Sequence, residues 1–252
     1  MRKSNLKYAD PYFHLAEYYG TMMSYVNYSK WAKYILRIVE NADIKKGIII
    51  DLSFGTGLFW KHWHNPDLKG IGADISLPML RQYKNVKTVG IRKLVNNDIC
   101  NIAFKDNTAD VMLSLYDSIN YLNTRFKLRA MFSDINRVLK PGGYFIFDMV
   151  TRRLCEKYFS NYQDVIKVGD AEIIRKSVYN PAKSLQFNHF MIKKNGVLLK
   201  ERHIQKIYTI AEMQQEIEKA NLHILYAYHG LGFRKPSEKS ERIHFVCKKL
   251  LE

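Results

Sequence analysis

The stretch Gly47-Ile48-Ile49-Ile50-Asp51-Leu52-Ser53-Phe54-Gly55-Thr56-Gly57-Leu58-Phe59 decides how this chain is read. An apolar, β-branched run ends on an acid and turns through small residues toward a helix expected from about Leu58. In a parallel α/β sheet such a turn lies at the carboxyl edge of a strand, where nucleotide-like ligands bind. Gly55 and Gly57 allow a sharp turn and close approach of backbone to a ligand. Asp51 would end the strand and anchor the loop. Gly-Thr-Gly also occurs in ordinary turns, so the reading depends on what surrounds it.

Downstream, Gly70–Ser76 reads as a second strand ending on an acid, Asp74, with Ser76 as helix cap and Pro78 in the first helical turn. Asp74 stands at the spacing at which an acid meets ribose hydroxyls in nucleotide folds, and a carboxylate can accept both hydroxyl protons. The plainer alternative, a helix cap, is one Ser76 can supply. Leu94–Ile99, with Asp98, gives a third strand, and Asp110–Leu115 a fourth, followed by Tyr116-Asp117-Ser118-Ile119-Asn120-Tyr121-Leu122. A helix carrying Phe126, Ala130, Met131, Ile135 and Leu139 stops at Lys140-Pro141-Gly142-Gly143, and Tyr144–Asp148 is the fifth strand. Strands alternating with helices at this spacing predict an α/β fold with a doubly wound, Rossmann-like sheet.

Before this core, residues 8–46 read as helical. Leu15, Tyr18, Tyr19, Met22 and Met23 form one apolar face and Trp31, Ile35, Ile38 and Val39 another, with a break at 25–30 where Ser29 would cap the second helix. Aromatics this dense suit packing or a cover over a ligand. After Asp148, residues 163–208 alternate as strands do, with turns at Asn180-Pro181 and Asn195-Gly196. The second turn predicts a hairpin joining Phe187–Lys193 to Val197–Tyr208. Thr209-Ile210-Ala211-Glu212 is a capping box opening a helix to about Ala220, and Leu222–Tyr228 with Arg242–Cys247 predicts a closing antiparallel pair.

The 252 residues fit one large α/β domain, and no run of about 18 apolar residues predicts a membrane span. The start, Met1 to Lys7, does not read as a secretory signal. Cys100, Cys155 and Cys247 are scattered without metal-ligand spacing, so a reduced, cytoplasmic protein without a metal site is expected. The net charge of +16 fits either an anionic partner such as RNA or a lysine-rich solvated surface. The basic residues occur in scattered pairs such as Lys45-Lys46 and Arg152-Arg153, with no RNA-binding motif beside them, and the second alternative is preferred.

Taken together, these motifs resemble the class I S-adenosylmethionine-dependent methyltransferases. The family's acid-spacer-Gly-x-Gly motif is matched by Asp51 and Gly55-Thr56-Gly57, its ribose acid by Asp74, followed by Ile75 and by Met79 where methionine is frequent. Its adenine-contacting acid is matched by Asp98 with Ile99, and its Leu-Lys-Pro-Gly-Gly turn by Leu139–Gly143. A bacterial and archaeal small-molecule methyltransferase subgroup is similar in three further places: Asp117–Leu122, the pattern Tyr19, Met22-Met23, Tyr28 and Trp31, and His203, Gln205 and Tyr208. The family usually has glycine where Ser53 stands and a small residue where Phe54 stands. Ser53 then needs a negative φ, and Phe54 needs space in the core. Asn221-Leu222 replaces the usual Gly-Phe before the sixth strand.

The resemblance implies one methyltransferase domain made of a helical amino-terminal cap (1–46), a cofactor-binding core (47–159), an antiparallel β insertion or lid (160–208) and closing elements (209–252). The sheet is expected to be mostly parallel with an antiparallel closing strand. The cofactor implied is S-adenosylmethionine, leaving as S-adenosylhomocysteine. Asp51 with Ser53, Gly55, Thr56 and Gly57 would hold its methionine part, Asp74 the ribose and Asp98 the adenine amine. Ser114, Leu115 and Tyr116 would border adenine and methyl. Tyr19, Tyr28, Trp31 or Tyr116 could face the sulfonium, since an aromatic face favours a cation. His203 is the first candidate for a general base, because histidine titrates near neutrality, although a lone strand histidine is commonly structural. Tyr116 and Asn120 could orient the acceptor. The function expected is in-line methyl transfer to a small molecule. The alternatives are an RNA methyltransferase, for which the Asp/Asn-Pro-Pro-Tyr signature of base amino methylation is missing, and a non-catalytic binding protein that keeps the fold. A dinucleotide dehydrogenase is set aside because Trp60 stands where the third glycine of its fingerprint belongs.

Overall fold

The computed structural model describes residues 8–251 except Lys87 and Val89. In chain order the elements are α1 (Tyr19–Met22), α2 (Tyr28–Asn41), β1 (Gly47–Asp51), β2 (Leu68–Asp74), α3 (Leu77–Gln82), β3 (Ile91–Asn96), β4 (Ala109–Ser114), α4 (Arg125–Val138), β5 (Leu139–Val150) and α5 (Arg152–Tyr158). There follow β6 (Tyr162–Val168), β7 (Ala171–Asn180), β8 (Leu185–Lys194), β9 (Val197–Lys206), α6 (Ile210–Lys219), β10 (Leu222–His229) and β11 (Arg242–Lys249).

Seven strands form one sheet in the order β10-β11-β5-β4-β1-β2-β3, and β6 to β9 form a separate antiparallel sheet. β1 pairs in parallel with both β2 and β4, while β11 runs antiparallel between β5 and β10. The order reverses beside β1, because the chain builds outward to β3 and then returns to the other side through β4. A crevice at the carboxyl ends of β1 and β4 is the consequence.

Period-2 alternation divides the core between the two faces of the large sheet. Met112, Phe145, Phe147 and Phe245 point to one side and meet Leu128, Met131, Phe132 and Ile135 of α4 with Met213 and Ile217 of α6. Ile49, Val111, Leu113 and Ile146 point to the other and meet Trp31, Ile35, Ile38 and Val39 of α2 with Trp60 and Trp63. All of these are buried, which is the main favourable term holding the layers together.

Several local expectations are corrected. The helix expected from Leu58 is only a 3₁₀ turn at Trp60–His62, where Phe59, Trp60 and Trp63 fold back into the core. The helical reading of 8–46 holds for α2, but the segment before it is mostly turns. α2 is capped by Asn27, whose side chain accepts Lys30 N–H, and not by Ser29. Phe126 is 81% exposed and the buried stripe of α4 runs instead through Leu128, Met131, Phe132, Ile135 and Val138. Lys140–Gly143 lies within β5 as an irregularity in its pairing with β4. The caps at Ser76 and Thr209 and the hairpin at Asn195-Gly196, both at positive φ, are as expected. Among the described residues no helix is long and apolar enough to cross a membrane.

Candidate active site

A cavity of about 690 Å³ opens at the carboxyl ends of β1 to β4, within the usual size of a small-molecule site. Its wall takes Asp51, Ser53, Gly55 and Thr56 from the loop after β1, and Asp74, Ile75 and Met79 from β2 and α3. Asp98 and Ile99 come from the segment after β3, Leu115, Tyr116 and Tyr121 from that after β4, and Tyr12, Tyr19 and Tyr28 from the amino-terminal segment.

Asp74 is wired into this loop. Its Oδ2 accepts the backbone N–H of Gly55 at 2.7 Å and its Oδ1 that of Ser76 at 2.8 Å. Gly55 sits at φ +59°, a conformation that suits glycine. Burial lifts the Asp74 carboxyl to about 6, with those two hydrogen bonds pulling the other way. Asp51 is more enclosed: Trp60 Nε1–H donates to its Oδ2 at 2.8 Å and Ser53 N–H to its Oδ1 at 3.1 Å. Burial lifts it to about 7 against those bonds. Asp98 is exposed at the rim, its Oδ1 accepting Cys100 N–H at 2.8 Å.

Ser53 and Phe54, the two departures from the family pattern, both have physical explanations. Ser53 is not among the residues at positive φ. Its Oγ accepts Leu115 N–H at 2.9 Å and lies 3.2 Å from Leu115 O, stapling the loop after β1 to the loop after β4. The Phe54 ring is buried beneath the loop, in edge contact with Tyr83, over the space that glycine leaves at Gly72.

Tyr116 and Asp117 both hold positive φ, +60° and +52°, uncommon for such residues and suggestive of function. Asp117 N–H donates to Asp148 Oδ2 at 3.0 Å, and Arg242 bridges the carboxylates of Asp117 and Asp148. The Tyr116 ring stacks on Trp31 with centroids 4.1 Å apart, and Tyr28 lies 5.2 Å away. Burial holds the phenols of Tyr12, Tyr19, Tyr28, Tyr116 and Tyr121 protonated, well above the usual tyrosine range.

Five of the expected site residues do not line this cavity. Trp31 stands behind Tyr116, and Gly57 packs against Phe54 and Tyr83. Ser114 is fully buried. Asn120 is also buried, with both ends of its amide on backbone: Nδ2 donates to Lys206 O at 2.8 Å and Oδ1 accepts Val150 N–H at 3.0 Å. It braces the loop after β4 rather than orienting a ligand. His203 is 2% exposed, with Tyr121 Oη 2.8 Å from Nδ1 and Glu201 Oε2 3.1 Å from Nε2. It stands behind the cavity wall, hydrogen-bonded to Tyr121 and in edge contact with Tyr12.

The sequence reading missed Tyr12, the wall residues Asp10, Phe13 and Lys127, and Glu201. Glu201 did leave a signal, since it stands two residues before His203 and therefore on the same face of β9.

The cavity wall offers groups that fit S-adenosylmethionine. Asp74 keeps lone pairs for hydroxyls, the Thr56 and Tyr116 hydroxyls are buried without partners among the described residues, and Ile75, 67% exposed, offers an apolar surface on the same cavity wall. Residues 50–147 match the family described as "Methyltransferase domain". The chain is 26% identical over 240 residues to "Putative methyltransferase YqeM" of Bacillus subtilis, covering 93% of this chain and 95% of that protein. Among solved structures, an S-adenosylmethionine-dependent methyltransferase from Clostridium acetobutylicum superposes with TM-score 0.76 at 22% identity, over 94% of this chain and 98% of that one. The sugar N-methyltransferase KedS8 from Streptoalloteichus does so with TM-score 0.69 at 16% identity, over 94% and 92%. The chain therefore carries a methyltransferase domain at residues 50–147 and shares its fold with solved S-adenosylmethionine-dependent methyltransferases.

Proposed function

We propose that the protein transfers a methyl group from S-adenosylmethionine to a small molecule held in the cavity between the loops of the large sheet and the amino-terminal segment. The observation that carries this is the continuity of one cavity from Asp74 and Asp98 to the tyrosines at 12, 19, 28 and 121. A cofactor and a compact acceptor can share such a space. KedS8, named as a sugar N-methyltransferase, supports an acceptor of that size by its fold.

The bound cofactor supplies an electrophilic methyl on a sulfonium sulfur. In this reading the Asp74 carboxylate, already fixed by Gly55 and Ser76, accepts the ribose hydroxyls. Asp98 at the rim accepts from the adenine amine. Ser53, Gly55 and Thr56 border the methionine part, with Asp51 holding the loop beneath them through Trp60 and Ser53. The ring of Tyr116, fixed by Trp31, and those of Tyr19 and Tyr28 offer faces to a cation. Met79, Ile75, Ile99 and Leu115 keep water from the remainder. Catalysis then rests on alignment and on exclusion of solvent.

The charge of +16 favours RNA as a second acceptor class. Against it, Lys127 is the only lysine or arginine among the described cavity-wall residues, and the tyrosine end is roofed by the amino-terminal segment. An RNA acceptor calls for a basic stripe leading to the mouth, and would give salt-dependent RNA binding. Filter binding of single-stranded RNA at two salt concentrations tests this: no binding at low salt favours the small acceptor, and tight, salt-dependent binding the other.

A further inference from the structure

Resting on the methyl-transfer reading, we propose that Tyr12, Tyr121, His203 and Glu201 form a proton relay that removes the proton from a methyl acceptor carrying hydrogen on its attacking nitrogen or oxygen. The four side chains lie in series. Tyr12 and Tyr121 both line the cavity, and their hydroxyls are 2.8 Å apart. Tyr121 Oη is 2.8 Å from His203 Nδ1, and His203 Nε2 is 3.1 Å from Glu201 Oε2.

Glu201 fixes the direction of the series. It is fully buried, yet its carboxylate accepts the backbone N–H groups of Tyr12, His14 and Leu15 as well as His203. With both oxygens already accepting backbone N–H groups, Glu201 serves as the acceptor toward His203. His203 Nε2 therefore carries hydrogen, and Nδ1 of the neutral ring presents a lone pair to the Tyr121 O–H. Tyr121 oxygen in turn accepts from Tyr12, which leaves a lone pair of Tyr12 oxygen for the cavity. Tyr12 is held at φ +63° by its N–H bond to Glu201, an unusual backbone for tyrosine at the place where the series meets the cavity.

Methylation of an N–H or O–H acceptor leaves one proton over. The heteroatom's lone pair forms the new bond to carbon, and the carbon–sulfur pair stays on sulfur. The proton passes to Tyr12, that of Tyr12 to Tyr121, and that of Tyr121 to Nδ1. His203 ends as an imidazolium against the Glu201 carboxylate, so the charge is created beside its counter-ion. Both phenols finish neutral, as they began. A carbon or thioether nucleophile without a hydrogen to lose would have no use for this arrangement.

The groups facing His203 are Tyr12, Tyr121, Glu201 and the Phe190 ring of β8. Asp117, tied to Arg242 and Gln205, acts electrostatically on Tyr12 and Tyr121. The test uses the full-length protein labelled with ¹⁵N-histidine, the His203 signals being assigned by loss in His203→Asn. The expected spectrum at pH 8.5 shows hydrogen on Nε2 facing Glu201 and a hydrogen-bonded Nδ1 facing Tyr121. Tyr121→Phe, which leaves Glu201 in place, should shift Nδ1 toward an unbonded nitrogen and slow exchange of the ring proton with solvent. Hydrogen on Nδ1, or a Tyr121→Phe spectrum with unchanged shift and exchange, would overturn the relay. Calorimetry of S-adenosylmethionine binding on the same samples separates the two readings, because failure of cofactor binding refutes methyl transfer whatever His203 does.

Discussion

The Asp74 carboxylate and the Gly55 amide are joined by a 2.7 Å hydrogen bond, so the acid at the end of β2 holds the glycine loop at the end of β1. The same carboxylate holds Ser76 N–H, the residue that caps α3. Losing it leaves two backbone donors without their acceptor. Each charge-assisted bond of this kind contributes roughly 1.5–3 kcal/mol. Asp74→Ala should therefore lower Tm by several degrees, read by thermal denaturation, and Asp74→Asn by less because one acceptor oxygen remains.

Ser53 and Leu115 give a second test. Ser53→Ala removes the acceptor for Leu115 N–H, a loss of roughly 1–2 kcal/mol. Ser53→Gly, which restores the residue usual in the family, should be no more stable than Ser53→Ala in this chain. Denaturant titration measures both. A Ser53→Gly protein more stable than wild type would show that the staple is not needed.

Phe54 and Gly72 are matched in shape. A Cβ on Gly72 would fall 2.5 Å from Phe54 Cδ2 and 2.8 Å from Leu94 Cδ2. Gly72→Ala should cost about 1–3 kcal/mol through overpacking. Combining it with Phe54→Leu should recover part of that loss, seen as a non-additive double-mutant cycle. Strict additivity would mean that strain elsewhere dominates.

Cofactor affinity should depend on pH. Burial raises Asp51 to about 7 and Asp74 to about 6, so both are largely protonated at pH 5 in the free protein. The folded state then binds more protons than the unfolded one between about pH 4 and 7, and these two groups make stability fall as pH rises through that window. A cationic ligand favours the ionised carboxylates. Binding of S-adenosylmethionine should expel protons near pH 6 and tighten from pH 5.5 to 7.5. Calorimetry in two buffers of different ionisation heat measures the proton count, and zero release would contradict the assignment of these acids to the cofactor.

Much of the fold can be read in the sequence because its signals are local. The apolar run Ile48–Ile50 followed by Asp51, and Ser76 before Pro78, each encode an element within a few residues. The same holds for Asn195-Gly196 and the Thr209–Glu212 box. The errors occur where distant packing decides. Trp60 looks like a helical residue until its indole is seen to hold Asp51, and Phe126 fits the helical period but faces solvent one step out of phase. His203 was found as a histidine in a suggestive segment. Its place behind Tyr121 depends on Tyr12 and Glu201, which lie 189 residues apart and meet only in the folded chain.

The most direct test of the central claim is a calorimetric titration of the full-length protein with S-adenosylmethionine at pH 7.5, beside Asp74→Asn. One saturable site is predicted for the wild type. Loss of at least tenfold in affinity is predicted for the variant, as befits the loss of charge-assisted hydrogen bonds. No heat and no thermal shift at millimolar cofactor, or equal affinity in the two proteins, would contradict it.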